Sequence, residues 1–430
     1  MLKNILVLLF SLIVYSILGV QNFLLIFFSI ATTYIAARCF SSKFKRLIFV
    51  ITIVLNAGIL VALRFLPLFS DLDFSTRVGF WVALGISYYT LQVLSYLVDV
   101  YKGKYPAERN PFYYLFYIVY VPHLFMGPIS KFGEFKSELL VKRPLTWDNL
   151  YAGGLRISWG LLKMLVIARR ASVIIATLSE NTESYTGGYA LLAMFMYSIL
   201  LYADFSGGID VVLGISKIIG INLIENFDAP YLSQNIKEFW RRWHISLGRW
   251  LKDYIYIPLG GSKRGKIRQL VALLVTFFVS GIWHGLSFIV WGLFHGAFVF
   301  VGEKWNTKFK WLNRLITFVI VSFLWSFFIW QDDTMLALRM TSTVFTDFNY
   351  PAVWQSILTL GLTSTDWIVL GIFACLVFVF DARKTVIISK IKSMKAETKT
   401  ALLCTIILLV IVFGVYGFGF DASDFIYGEF

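Results

Sequence analysis

Long apolar runs recur along almost the whole of this 430-residue chain, separated by short polar linkers. A helix needs about 20 apolar residues to cross a hydrocarbon core of about 30 Å. Inside lipid, only structures that satisfy their own backbone hydrogen bonds survive. Runs that meet this length, or nearly do, are 3–19, 21–39, 46–67, 79–100, 150–170, 187–203, 312–330, 366–381 and 400–419. The predicted fold class is therefore an all-α polytopic membrane protein, with about 9–11 spans once shorter segments are included. The first run lacks a strongly basic leader and a small-residue cleavage site, and a second run follows at once. It reads as a membrane helix, not a signal peptide.

Hydrophobic residues make up 58% of the chain, and the mean hydropathy is +0.73; a soluble protein is nearer half apolar. The net charge of +14 would point to nucleic acid in a soluble protein. Here the basic residues sit in linkers between apolar runs, which is a topology signal. Membrane lipid, not nucleic acid, is the expected surrounding. Lys and Arg mark the cytoplasmic side. Linkers 41–46, 101–109, 235–268 and 383–399 are basic, while 70–76, Asp332, Asp333, Asp347 and the tail 421–429 are acidic. The alternation predicts a cell-membrane protein with a cytoplasmic N-terminus and an extracellular C-terminus. The three cysteines lie far apart in or beside apolar runs; they read as small apolar fillers without metal spacing.

Two segments do not fit simple spans. Residues 112–130 are apolar, but basic linkers flank them and Pro122 and Pro128 interrupt any helix. A re-entrant hairpin satisfies both facts. The stretch 269–304 is also flanked by basic residues, with His284 near its middle. From Gln269 to Trp283 is 15 residues, about 22 Å of helix, which predicts a helical hairpin with His284 at its turn, deep in the membrane. No soluble domain or repeat is visible, and the chain reads as one membrane domain, 1–430.

The histidines are His123, His244, His284 and His295. An ionisable group within a bilayer is costly and marks a functional hypothesis. His284 lies between Gly281 and Gly285, glycines that let a backbone or ligand approach closely, and an imidazole is the usual general base near neutral pH. The bland alternative is a buried ring bonded to a carbonyl. His244 sits in a basic aromatic stretch with Arg241, Arg242, Trp243, Ser246, Arg249 and Lys252. Residue types alone make this an interfacial anchor; its cations would also suit phosphates of a lipid or a carrier-linked donor. His295 reads as structural or cavity-lining, and His123 as structural. Asp204 ends an apolar run and needs partners, by supporting a histidine or by structural pairing. No Walker A loop, GxSxG elbow or HExxH is present, and four scattered histidines make no tight metal site. Neither a metal nor a bound cofactor is expected.

Several stretches resemble the membrane-bound O-acyltransferase family in its bacterial cell-envelope branch, which acts on alginate, peptidoglycan and teichoic acid. They are Gly85–Gln92 with Ser95–Tyr101, Pro122–Leu124 with Gly127–Ile129, Asp204–Gly207, Asn226–Tyr231, Phe239–Leu247, Tyr256–Gly261, and Trp283–Gly285 with Trp291-Gly292 and His295-Gly296. They run in family order. The resemblance implies a helical bundle with re-entrant and interfacial helices, a motif-bearing core at about 80–304, and peripheral helices at 1–79 and 305–430. It implies an acyltransferase with His284 as catalytic base and His244 as its partner. Asp204, His295, Trp243, Trp283 and Ser246 are expected to support them or line a channel, and Arg241, Arg242, Arg249 and Lys252 to meet the donor's phosphates or the interface.

An acyl thioester, acetyl-CoA or an acyl-carrier protein, is the expected co-substrate. The expected partner is an extracellular SGNH-type acetyltransferase or a small membrane protein. The retained Pro258–Gly261 segment favours the alginate type, hence a short acyl group such as acetyl. Two features depart from that type: Ile329 and Trp330 stand where an Arg is frequent, and the tail ends Phe425–Phe430. They leave the acceptor open. D-Alanyl transfer to teichoic acid is the sibling alternative. A transporter or flippase is the alternative of another class, though the paired repeats usual there are missing.

Overall fold

A computed structural model describes residues 2–17, 19–65, 79–124, 126–141, 143–302, 307–331 and 333–416. The acidic linker 70–76, Asp332 and the tail 421–429 used in the topology argument lie outside them. Every regular element among the described residues is a helix. Six helices are long and apolar enough to cross a membrane: Lys45–Leu63, Gly188–Ile219, Lys266–His284, Lys310–Ile329, Ser364–Ser393 and Ala396–Phe413. Three shorter apolar helices accompany them, at 2–17, 22–38 and 286–301. The chain is an all-α, multi-pass membrane protein, and it divides into two compact units.

The first unit holds the chain up to Gly153 together with Val212–Ile224. Helices Val20–Arg38 and Lys45–Phe65 pack on Gly79–Tyr101. The outer face of Lys45–Phe65 leaves Leu47, Ile51, Val54 and Leu55 exposed. That is one helical stripe, and its natural solvent is lipid. The interior is aromatic: Tyr96, Tyr114, Phe116, Tyr117, Tyr120, Phe132 and Phe135 are buried together.

The expected interruption in 112–130 falls at Tyr120. Asn110 caps Pro111–Val119 by accepting from the Phe112 N–H at 3.0 Å. Pro122 has no N–H and its ring meets the carbonyl four residues back, so the helix stops short of it. A single turn, Val121–Leu124, and a second helix, Phe132–Leu140, follow. The turn presents His123 to the core. Its Nδ1 lies 3.0 Å from Gln92 Nε2, and its Nε2 lies 3.2 Å from Ser130 Oγ.

The second unit holds 154–211 and the described chain from Glu225 onward. Helix Lys266–His284 begins three residues before Gln269 and has 19 residues, about 28 Å. The expectation of a partial crossing from length alone is therefore corrected: Lys266 and Arg268 form the first turn. The hairpin itself is present. The helix ends at His284, a single 3-10 turn Leu286–Phe288 follows, and Ile289–Val301 returns along it. The apolar run 366–381 lies inside a longer helix, Ser364–Ser393, which continues through the basic stretch with a break at Arg383 (φ −124°, ψ 18°). Ile368, Ile372 and Val379 are exposed along it, again a lipid-type stripe. Cys39, just past the end of helix Val20–Arg38, and Cys375 and Cys404, within helices, are all exposed and do not fill the core.

Candidate functional site

At the hairpin, Gly285 has φ 145° and ψ 164°, a backbone that side-chain-bearing residues rarely adopt. Gly281 and Gly292 bring the two helices into backbone contact. A Cβ on Gly281 would come within 2.5 Å of the Phe288 carbonyl oxygen, and one on Gly292 would collide with the Phe277 carbonyl. The result is a tight turn with His284 buried at its inner corner. Its ring centroid lies 5.4 Å from that of Trp291 and 5.5 Å from that of Phe328, and Trp283, half-buried, stacks edge-on at 4.8 Å.

His295 lies on the returning helix and is fully buried. Its ring centroid is 4.9 Å from Trp291 and 6.2 Å from Trp325. Trp240 Nε1–H donates to His295 Nδ1 at 3.1 Å.

His244 is placed by a different device. It lies between the short helices Ile236–Arg242 and Ile245–Leu251, with left-handed backbone angles (φ 43°, ψ 55°). For a residue other than glycine this is a strained conformation. Asn226 holds it: its carbonyl oxygen accepts from the Ile245 N–H at 3.0 Å. Its Oδ1 accepts from the Ser246 N–H at 2.9 Å and lies 3.3 Å from His244 Nδ1.

A file of aromatic rings joins His284 and His295 to His244. Trp291 stacks on Trp325 (6.1 Å), Trp325 meets Trp243 (5.3 Å), Trp243 meets Phe205 (6.3 Å), and Phe205 meets His244 edge-on (5.0 Å). Asp204, beside Phe205, is 1% exposed.

Among the described residues, several buried polar atoms on this file or beside it in sequence have no hydrogen-bond partner in the protein, including His244 Nε2, His295 Nε2, Trp291 Nε1 and the hydroxyls of Ser246 and Ser326; others lie elsewhere, such as Asn56 Oδ1 and Gln92 Oε1 in the first unit. Each such buried atom costs about 1–3 kcal/mol, against a net stability of only about 5–15 kcal/mol for a whole domain. A cluster of them is tolerable where water or a substrate completes the bonding.

The four cations differ. Arg241 and Lys252 are exposed, while Arg242 and Arg249 are half-buried. The Arg242 charge is already engaged, 2.7 Å from Glu238 and with a second carboxylate, Asp228, at 3.9 Å.

Three further features carry little mark in the sequence. Asn226 belongs to a family-like stretch, but nothing in its spacing from His244 tells its role. Trp240 is one of two tryptophans in its stretch, and only the fold shows which one meets His295. The third is an ionic cluster: Arg156 bridges Asp210 (2.9 Å) and Glu225 (2.6 Å), and Lys163 Nζ reaches Asp210 (2.7 Å) and Ser206 (2.8 Å). Tyr202 Oη–H donates to Asp381 at 2.5 Å, and its ring lies 6.2 Å from Trp243. Lys163 opens a six-residue π-helical segment, Lys163–Ala168, a rare geometry found mostly at functional sites. The signal was a lysine within the apolar run 150–170.

Residues 107–331 match the model of the membrane-bound O-acyltransferase family. The chain belongs to this family. Among its relatives is the protein named Probable alginate O-acetylase AlgI of Pseudomonas syringae pv. tomato, 36% identical over 269 residues, which are 61% of this chain and 51% of the relative. The peptidoglycan O-acetyltransferase of Helicobacter pylori is 31% identical over 67% of this chain and 62% of its own. The teichoic acid D-alanyltransferase of Bacillus subtilis is 32% identical over 55% and 64% respectively. The chain thus spans about half the length of the alginate-type relatives it matches. All four sequence-predicted histidines and the ring file fall within the family region.

Proposed function

We propose that this membrane-bound O-acyltransferase moves a short acyl group, acetyl in the first instance, from a cytoplasmic thioester to a hydroxyl destined for a cell-envelope polysaccharide. His284 is the general base. It takes the proton of the acceptor hydroxyl, whose oxygen attacks the thioester carbonyl. The C–S bond breaks, and the thiolate leaves with the proton from His284. His244 is its partner, with Asp204, His295, Trp243, Trp283 and Ser246 supporting or lining the path. The ring file shuts bulk water away from the thioester. Arg241, Arg242, Arg249 and Lys252 meet the phosphates of acetyl-CoA or of an acyl-carrier protein, or the membrane interface. The N-terminus faces the cytoplasm and the C-terminus the outside. An extracellular SGNH-type acetyltransferase, or a small membrane protein, receives the product.

The observation that carries this reading is that His244 and His295, joined by one line of aromatic rings within a single unit, are both buried with an Nε2 that has no protein partner among the described residues. Similarity to O-acetyltransferases favours acetyl; the 32% identity to a D-alanyltransferase keeps D-alanine as the second reading. Mass spectrometry of envelope glycans from wild-type, deletion and His284→Ala cells decides. The expected result is equal loss of acetyl esters in deletion and variant, with the variant protein present in the membrane. Loss of D-alanyl esters instead selects the second reading. Unchanged acylation in all three strains overturns both.

A further inference from the structure

The neutral imidazole has one N–H and one lone pair, and the bond made by one nitrogen fixes the role of the other. Two of the buried rings are constrained in this way, with opposite results. At His244 the constraint comes from Asn226. A backbone N–H can only donate, so the atom facing the Ser246 N–H at 2.9 Å is the amide oxygen, Oδ1. His244 Nδ1, 3.3 Å from that same oxygen, must then carry a hydrogen. In the neutral ring the lone pair therefore sits on Nε2. At His295 the constraint comes from Trp240, whose indole N–H is a donor only. It points at Nδ1 at 3.1 Å, so Nδ1 holds the lone pair and Nε2 carries the hydrogen. Both Nε2 atoms are buried without a protein partner among the described residues.

We infer that the site holds His244 and His295 as opposite tautomers, one offering an acceptor and the other a donor, with Asn226 and Trp240 as the positioning residues that set them. The inference rests on the acyl-transfer reading and sharpens it. An acyl transfer from a thioester to an alcohol needs both an acceptor for a hydroxyl hydrogen and a donor for the carbonyl oxygen that gains charge. His244, with its lone pair on Nε2, accepts from a second hydroxyl or a bound water, leaves the hydrogen of the reacting hydroxyl to His284, and cannot serve as the oxyanion donor while neutral. His295 supplies that donor. The ligand matched to the pair is uncharged and carries a hydroxyl beside an ester or thioester carbonyl. The left-handed strain at His244 fits this assignment: three contacts to one asparagine hold a conformation that has no other evident reason.

The test is nitrogen-15 NMR of the full-length chain in lipid nanodiscs with labelled histidine. Only four rings contribute, and single His→Gln variants assign them. The expected spectrum has His244 protonated at Nδ1 and bare at Nε2, and His295 the reverse. Free imidazole side chains favour the Nε2–H form, so the His244 result is the discriminating one. Asn226→Leu is expected to return His244 to Nε2–H, whereas Asn226→Asp keeps Nδ1–H. Asn226→Asp is also expected to move the acidic limb of the transfer-rate pH profile upward by about 1–3 units, through the added carboxylate charge. Trp240→Phe is expected to shift the His295 Nδ1 resonance and no other. A wild-type His244 protonated at Nε2 overturns the inference whether or not the protein transfers acyl groups. A wild type with the expected tautomers but no transfer would instead count against the functional reading alone.

Discussion

His123 and His244 are buried to the same degree, His123 in the single turn that follows the break at Tyr120 and His244 in the break between two short helices. Their surroundings differ in one respect. Each ring nitrogen of His123 faces a polar side chain of the first unit, Gln92 on one side and Ser130 on the other. His244 meets Asn226 through Nδ1 only, and its Nε2 has no protein partner among the described residues. His295 repeats the pattern, held at Nδ1 and open at Nε2. A saturated imidazole pins a fold, whereas a half-bonded one in the dark of an aromatic wall keeps a bond in reserve. Burial does not separate the two kinds of histidine; the count of bonds does.

The comparison breaks if histidines of both kinds respond alike to substitution. The largest expected effect is at the hairpin: His284→Ala should lower the acyl-transfer rate by about 10²–10⁴-fold while membrane yield and melting temperature stay near wild type. His123→Phe should do the reverse. Losing a ring bonded at both nitrogens leaves Gln92 and Ser130 without their partner and costs about 1–3 kcal/mol of stability, read as a lower thermal midpoint. The transfer rate per folded molecule should change little. A His123 variant that folds normally but cannot transfer would place it with the other kind.

The hairpin glycines give the next effect. Gly292→Ala forces a Cβ into the Phe277 carbonyl, and neither helix can move without shifting His284 and His295. Overpacking of this kind costs about 1–3 kcal/mol. Rate and melting temperature should therefore fall together. Gly296→Ala, whose Cβ would meet the Leu273 carbonyl oxygen at 3.3 Å, should be milder in both readings. Equal effects from the two would mean that the close backbone approach at Gly292 is not what places the rings.

How much of this was legible beforehand depends on the range of the interaction. The hairpin was readable, because His284 between glycines in an apolar stretch is a local conflict that stands out. The break in 112–130 was readable because proline acts on its own neighbours. Its position at Tyr120 needed only the proline's effect on the preceding turn. The left-handed angle of His244 was not readable: no glycine or asparagine stands there to announce it, and it is imposed by Asn226, eighteen residues away. Trp240 and the Lys163–Asp210 pair were hidden for the same reason. Their partners are set by how helices pack, which a one-dimensional period does not encode. Setting in the chain singles out His284, whereas the fold separates His123 from His244 and His295 by which ring nitrogens are engaged.

The smallest effect sharpens the comparison from the first unit, in a linker outside the membrane-spanning helices. Burial works against the charge on Glu108, but Lys136 binds one of its carboxylate oxygens and the N–H groups of Arg109 and Asn110 donate to the other at 2.9 and 2.8 Å. Together these hold its carboxyl below the ordinary glutamate value. A carboxylate whose folded-state value is depressed adds stability above its unfolded pKa, about 4.3, and that contribution fades as the pH falls through the folded value. Lys136 is 32% exposed on its side chain, so solvent screens the pair and the contribution is about 1 kcal/mol or less. Glu108→Gln should lower the thermal midpoint slightly at pH 7, and by less at pH 4 or below, where the wild type has begun to lose the same bond. The acyl-transfer rate at pH 7 should not change. A pH-independent difference between the two proteins would mean that the bonds to the backbone, which a glutamine partly retains, and not the charge, are what Glu108 contributes.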